Sequence, residues 1–157
     1  MEKTNHQLLF AETLQRLTSD LVRYSSLLDR VCTENLTITG SQGYTLLAIP
    51  DNETISMNDL SLKMKLAGST MTRMVDQLVQ KGLADRKPDP EDRRVVLVFM
   101  TESGRQAKHQ LDEALQTFFL TVLQDIPENE RGQVLQSLKL LNGAIMNALQ
   151  CCFRTDA

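Results

Sequence analysis

The stretch Ala67–Arg105, AGSTMTRMVDQLVQKGLADRKPDPEDRRVVLVFMTESGR, decides how this chain folds. In its first third Met71, Met74, Val75, Leu78 and Val79 recur at the 3.6-residue period that gathers apolar side chains on one buried helix face. The opposite face collects Ser69, Thr70, Thr72, Arg73, Asp76, Gln77 and Gln80. These are short hydrogen-bonding groups and one long cation, which suit groove edges and phosphates better than the Lys/Glu mixture of an idle solvated helix does. Gly82 stands at the C′ position, where left-handed backbone is needed and glycine has no steric penalty. Leu83–Lys87 and Arg94–Met100 then read as two strands. Their connection, Pro88-Asp89-Pro90-Glu91-Asp92-Arg93, is too rich in proline and aspartate to continue either ladder.

A helix with a polar outer face followed by a hairpin with a stiff, basic tip is the outline of a winged helix-turn-helix. The elements before it agree. Gly40 to Pro50 predicts a short helix. Ser56-Met57-Asn58-Asp59 resembles a capping box opening a third helix through Lys65, with Leu60 and Met64 inward and Leu66–Gly68 as the turn. Gly40 and Gly43 are unusual in a helix, where a glycine costs about 1 kcal/mol relative to alanine. Gly43 is read as admitting a neighbouring backbone, leaving room for a ligand, or being a tolerated defect.

The ends of the chain carry a different pattern. Phe10, Leu14, Leu17, Leu21, Tyr24, Leu28 and Val31 alternate by four and three over a helix predicted for 6–32, and Val134, Leu138, Leu141, Ile145, Ala148 and Cys152 do the same in a sixth helix. Thr101 is expected to cap a fifth helix over Glu102–Asp125, with Leu111, Leu115, Phe118, Phe119 and Val122 on its apolar side, and Pro127 to open the sixth. Narrow seams pack on other helices, either within one subunit or across a two-fold dimer layer, to which two seamed ends far from the basic centre are suited. The fold expected is mostly α with a small β ribbon (α+β), as one domain over 1–157. Residues 1–36 and 107–157 supply dimerisation helices, and 37–106 the winged helix.

Charge is distributed to match. The 157 residues carry a formal net charge of −3, yet residues 60–108 hold ten Lys and Arg against six Asp and Glu, while both flanking segments are net acidic. A basic centre between acidic ends is what a DNA reader needs if its ends stay off the phosphates. No run of about 18 apolar residues is present, and Met1–His6 lacks the basic start and apolar run of a signal peptide. A cytoplasmic protein that does not enter membranes is expected. Three cysteines, Cys32, Cys151 and Cys152, are too few and too clustered for a secreted disulfide framework.

The run from Ser69 to Arg105 also resembles the signature of the MarR family of bacterial transcriptional regulators. The elements are a Ser/Thr-rich recognition helix (Ser69–Arg73), an L…KGL…R exit (Leu78–Arg86), a D-x-R wing (Asp92-Arg93-Arg94) and a T-x-x-G helix start (Thr101–Gly104). The resemblance implies a homodimer on a pseudo-palindromic double-stranded DNA operator, the recognition helix in the major groove and a wing arginine in the minor groove. It also implies a repressor that releases DNA when a small-molecule effector binds or a cysteine is modified.

On that reading Ser69, Thr70 and Thr72 contact phosphate or base edges, Arg73 reads guanine, and Gln77 reaches an adenine. Arg94 enters the minor groove, with Arg93 as its substitute, and Asp92 holds the wing's shape by pairing with arginine. Lys63, Lys65, Arg86 and Lys87 are candidates for phosphate contacts. Tyr24, Met100, Met146 and the glycines of the second helix are candidates to line a cleft, and Cys32, Cys151 and Cys152 to act as a thiol sensor. No cofactor or resident metal is expected, although His109 with carboxylates is the one combination a zinc ion would use. The sequence has no C-x-x-C, H-x-x-x-H, glycine-rich phosphate loop or G-x-S-x-G. An enzyme is therefore not expected. Two alternatives stay open: a winged helix used only for protein interaction, and a thiol-based redox protein.

Overall fold

In this computed structural model the backbone is described for residues 2–33 and 36–152, and side chains for these except 2–6, 24–28, 30–33 and 150–152. The described residues form α1 (Glu2–Thr33), α2 (Gly40–Ala48), β1 (Ile55–Ser56), α3 (Met57–Met64), α4 (Gly68–Gln80), β2 (Ala84–Pro88), β3 (Val96–Met100), α5 (Glu102–Gln124) and α6 (Glu128–Cys152). The chain divides into two compact units, Met1–Leu115 and Gln116–Ala157, with α5 running from the first into the second.

The core of the first unit is built on α4. Met71, Val75 and Leu78 are fully buried, in one cluster with Leu46 and Ile49 of the α2 segment, Leu60 of α3 and Val98 of β3. Met74 and Val79 lie partly buried against it. Burying each of these larger apolar side chains contributes about 1.5–3 kcal/mol. The cluster therefore holds three helices and the sheet together.

Local chemistry sets the ends of these elements. Thr39 and Gln42 form a reciprocal capping box at the start of α2. Ser56 caps α3 by accepting the Asp59 amide at 3.0 Å. Lys65 ends α3 in left-handed backbone at φ 54°, one residue before the expected turn.

The sheet has the order β1-β3-β2, with both pairings antiparallel. Two expectations are corrected here. Pro88 belongs to the ladder, opposite Val96, because at the end of an edge strand its missing N–H interrupts no bond. The third strand, β1, is only two residues long and has no readable period.

The wing is clasped to the helices where its strands leave. Gly82 takes φ 70°, and the Thr101 hydroxyl donates to its carbonyl at 2.6 Å while accepting the Gly104 amide at 3.0 Å. The Thr101 amide donates to the Leu83 carbonyl at 3.2 Å. Gly104 packs so closely that a Cβ there would lie 1.8 Å from the Leu83 oxygen, which explains glycine at the end of T-x-x-G. At Gly43, by contrast, a Cβ would meet the Leu111 side chain at 3.0 Å; the neighbour is a leucine and not a backbone. Glu102, in the first turn of α5, is held below the usual carboxylate range by a hydrogen bond from Arg105 and then by its charge.

The terminal helices bear the expected apolar residues, and many are exposed. On α1 Phe10, Leu17 and Leu21 are exposed, and in the second unit Leu138, Ile145 and Leu149 of α6 are exposed. Tyr24, Leu28 and Val31, the rest of the first seam, lie outside the described side chains, as does Cys152 of the second.

Gly104→Ala is expected to lower stability by about 1–3 kcal/mol, as overpacking against fixed backbone does. The measurement is the urea midpoint; an unchanged midpoint would mean that the clasp yields freely.

Candidate nucleic-acid interface

Burial of Met71, Val75 and Leu78 fixes how α4 is rotated about its axis. At 100° per residue, Ser69, Thr72, Arg73, Asp76 and Gln80 share the outward stripe, and Thr70 and Gln77 fall on its flank. Ser69, Thr72, Arg73 and Gln80 are exposed, Asp76 half-buried. The helix is preceded by Ala67, which gives no side-chain cap, so its first amides keep their capacity to bind anionic oxygen. Thr72 donates its hydroxyl proton to the Gly68 carbonyl at 2.9 Å and has only acceptor capacity left for an outside partner.

Gln77 has an intramolecular partner that the sequence reading does not include. Its Oε1 accepts from Gln42 Nε2 at 3.1 Å, which draws the side chain toward α2. Gln42, buried to 5% exposure, was not singled out in the sequence; the T-x-x-Q spacing of a capping box at Thr39–Gln42 is the signal that marks it.

Wing and helix are joined by a contact that charge counting could not reveal. Arg86 Nη1 of β2 lies 2.7 Å from Asp76 Oδ1 of α4, with both side chains more than a third exposed. Such a pair adds at most about 1 kcal/mol. Its effect is to tie the first wing strand to the outward stripe.

Two carboxylates of the wing tip, Asp89 and Asp92, bond to backbone amides of the tip itself. Asp89 Oδ1 accepts the Glu91 amide at 2.9 Å, and Asp92 Oδ1 accepts the Arg94 amide at 3.0 Å. The Val95 amide donates to the Asp92 carbonyl at 2.8 Å, closing a turn with Arg93 and Arg94 at its exposed apex. Asp92 thus holds the wing through a backbone amide. The expected pairing with an arginine side chain is not among the ion pairs of the described residues.

The residues expected at phosphates also have places within the fold. Lys63 Nζ donates to the Ala48 carbonyl at 2.8 Å, at the end of α2, where cations complement the helix dipole. Arg86 has Asp76, and Lys87 Nζ sits 5.6 Å from the centre of the Phe99 ring. Lys65 forms the left-handed cap of α3.

The other expected sites divide. A small recess at the start of α2 is lined by Asp29, Thr39, Gly40, Gly43, Tyr44 and Leu111 among others. Gly40 and Gly43 do face it; Met100 is in the core, Met146 lies in the second unit, and the Tyr24 side chain is outside the described residues. The side chains of Cys32, Cys151 and Cys152 also lie outside the described residues. His109 Nδ1 pairs at 3.4 Å with Glu113 one turn along α5, and among the described residues no three His, Cys, Asp or Glu converge as a metal would require. No described helix is long and apolar enough to cross a membrane.

The MarR family model matches residues 38–96, which run from just before α2 to the first residue of β3. A putative transcriptional regulatory protein for the hcr operon of Thauera aromatica is 32% identical over 111 residues, 67% of each chain. The organic hydroperoxide resistance transcriptional regulator of Bacillus subtilis is 34% identical over 88 residues, 56% of each chain. Among solved structures, a cysteine-to-serine mutant of MarR from Escherichia coli complexed with operator DNA superimposes with a TM-score of 0.70 at 28% identity, covering 82% of this chain and 93% of that one. Across the first curated relatives, the matched stretch spans between about half and two thirds of the relative's length. The chain is a winged-helix protein, and it belongs to the MarR family, a family of transcriptional regulators and not of enzymes.

Asp92→Ala should loosen the wing tip, whereas Asp92→Asn keeps an oxygen for the Arg94 amide. The expected result is faster trypsin cleavage after Arg93 or Arg94 in the alanine variant only; equal rates in all three proteins would mean that the tip is held without Asp92.

Proposed function

We propose that this chain is a homodimeric, sequence-specific DNA-binding regulator that sets α4 into the major groove and Arg94 into the adjacent minor groove. The observation that carries the reading is the wing tip. Asp89 and Asp92 bond to backbone amides there, and Arg93 and Arg94 form the exposed apex of a wing whose first strand is tied to the outward stripe of α4 through Arg86 and Asp76. An arginine presented this way suits the negative potential of a narrow minor groove. Ser69, Thr70, Thr72 and the first amides of α4 would position the helix on phosphates, and Arg73 would read guanine.

The dimer is supported by exposed leucines on α1 and, separately, on α6. Large apolar side chains at seam spacing are unfavourable in water, and a two-fold partner would cover them. On this reading residues 1–36 and 107–157 form the dimerisation helices and 37–106 the DNA reader, within one domain. Half-sites would then lie about one helical turn, roughly 10 base pairs, apart.

Repression, with release on binding a small molecule or on cysteine modification, is the finer part of the proposal and rests on the family resemblance. The recess at the start of α2 supports the ligand route, since it adjoins the helix that packs on α4.

Arg94→Ala is expected to weaken binding to a fragment selected from the source genome by more than about tenfold, with an unchanged thermal midpoint. Unchanged affinity would remove the wing from DNA recognition.

A further inference from the structure

Two glutamines connect the start of α2 to the DNA-facing helix, and their hydrogen bonds have a direction. The Thr39 backbone amide donates to Gln42 Oε1 at 3.1 Å, and Thr39 Oγ1 accepts the Gln42 amide at 3.3 Å. Gln42 Nε2 in turn donates to Gln77 Oε1 at 3.1 Å.

A side-chain amide can in general be turned end for end, since it has a donor and an acceptor of similar shape. Here it cannot. A backbone N–H only donates, so the end of Gln42 facing Thr39 must be its oxygen. The end facing Gln77 must then be its NH2 group, and Gln77 must meet it with oxygen. Gln42 is 5% exposed, so reversing it would bring an N–H against an N–H in a site nearly closed to water, at the cost of an unpaired buried group. The polarity is thus set by the fold.

We infer that Gln42 is a positioning residue that fixes Gln77 as a hydrogen-bond donor toward DNA. A freely turning glutamine presents oxygen and nitrogen together, the arrangement that reads adenine through N6 and N7. With Oε1 held by Gln42, Gln77 has its NH2 group to offer. It stands one turn beyond Arg73 on the same side of α4. Guanine rewards a donor alone most fully, with acceptors at both O6 and N7; thymine offers only O4 beside its methyl group, and adenine only N7 beside an amino group that needs an acceptor. The preference at that position is therefore for guanine over adenine, in place of the adenine contact expected from the sequence. This inference rests on the DNA-binding reading proposed above.

The test uses the full chain and a randomised double-stranded DNA library, with base preference read at each position of the selected sites. Gln77→Ala marks the position by flattening its preference. Gln42→Glu keeps an oxygen for the Thr39 amide and so keeps the capping box, but turns an acceptor toward Gln77. Gln77 must then reverse and present its oxygen. The expected result is a shift at the marked position from guanine to adenine or cytosine, whose amino groups donate, by roughly fivefold or more. In Gln42→Glu/Gln77→Ala the shift should vanish. Gln42→Leu, which removes the donor and fills the buried site, should free Gln77 to turn and admit adenine; it answers the question if the charged variant does not fold. An unflattened profile in Gln77→Ala, or guanine retained at the marked position in the Gln42 variants, would overturn the inference and leave DNA binding standing. If the wild-type chain enriches no sequence, both fall.

Discussion

The buried stripe of α4 constrains the rest of the molecule. Met71, Val75 and Leu78 are closed off from water in one cluster with Leu46, Ile49, Leu60 and Val98, so α4 can neither rotate nor slide without exposing three large side chains. At about 1.5–3 kcal/mol for each, that exposure would cost a large share of the roughly 5–15 kcal/mol that stabilises a typical domain. The outward direction of Ser69, Thr72, Arg73, Asp76 and Gln80 is therefore a consequence of packing on the other side of the same helix. The wing inherits its position from this, because Gly82, Leu83 and Thr101 join its strands to the ends of α4 and α5 through short backbone and hydroxyl bonds.

Charged groups are sorted by what they neutralise. Lys63 and Lys108 donate to carbonyls at the end of α2, Asp89 and Asp92 accept tip amides, and Arg86 meets Asp76. Arg73, Arg93 and Arg94 make no ion pair among the described residues and stand on the two surfaces that the proposed function turns toward DNA. Ten basic residues in the central segment thus overstate the number offered to phosphate, since several complete the protein's own backbone bonding.

How much of this is legible in the sequence depends on the range of the interaction. The 3.6-residue period of α4, the left-handed Gly82, the Thr101 cap and the Ser56 cap are local, and the structure places each as the residues imply. The turn after α3 comes a residue early because Lys65 accepts the left-handed backbone that glycine would usually take. Pro88 reads as a breaker only until its place at the end of an edge strand is known. Gln77 and Lys63 look unpartnered on their own helices; Gln42 and the Ala48 carbonyl, 35 and 15 residues away, fix how each side chain is held. Helical periodicity has no term for such partners.

On the proposed function, α4 and the wing tip engage duplex DNA through phosphates and grooves. The most direct measurement is the affinity for a genome-selected fragment as a function of salt. Neutralising several phosphates releases counterions, so log K should fall linearly with log salt at a slope of about −0.9 per phosphate contact. The account predicts a steep negative slope on a palindromic fragment, and a flat dependence, or no enriched fragment at low salt, would contradict it.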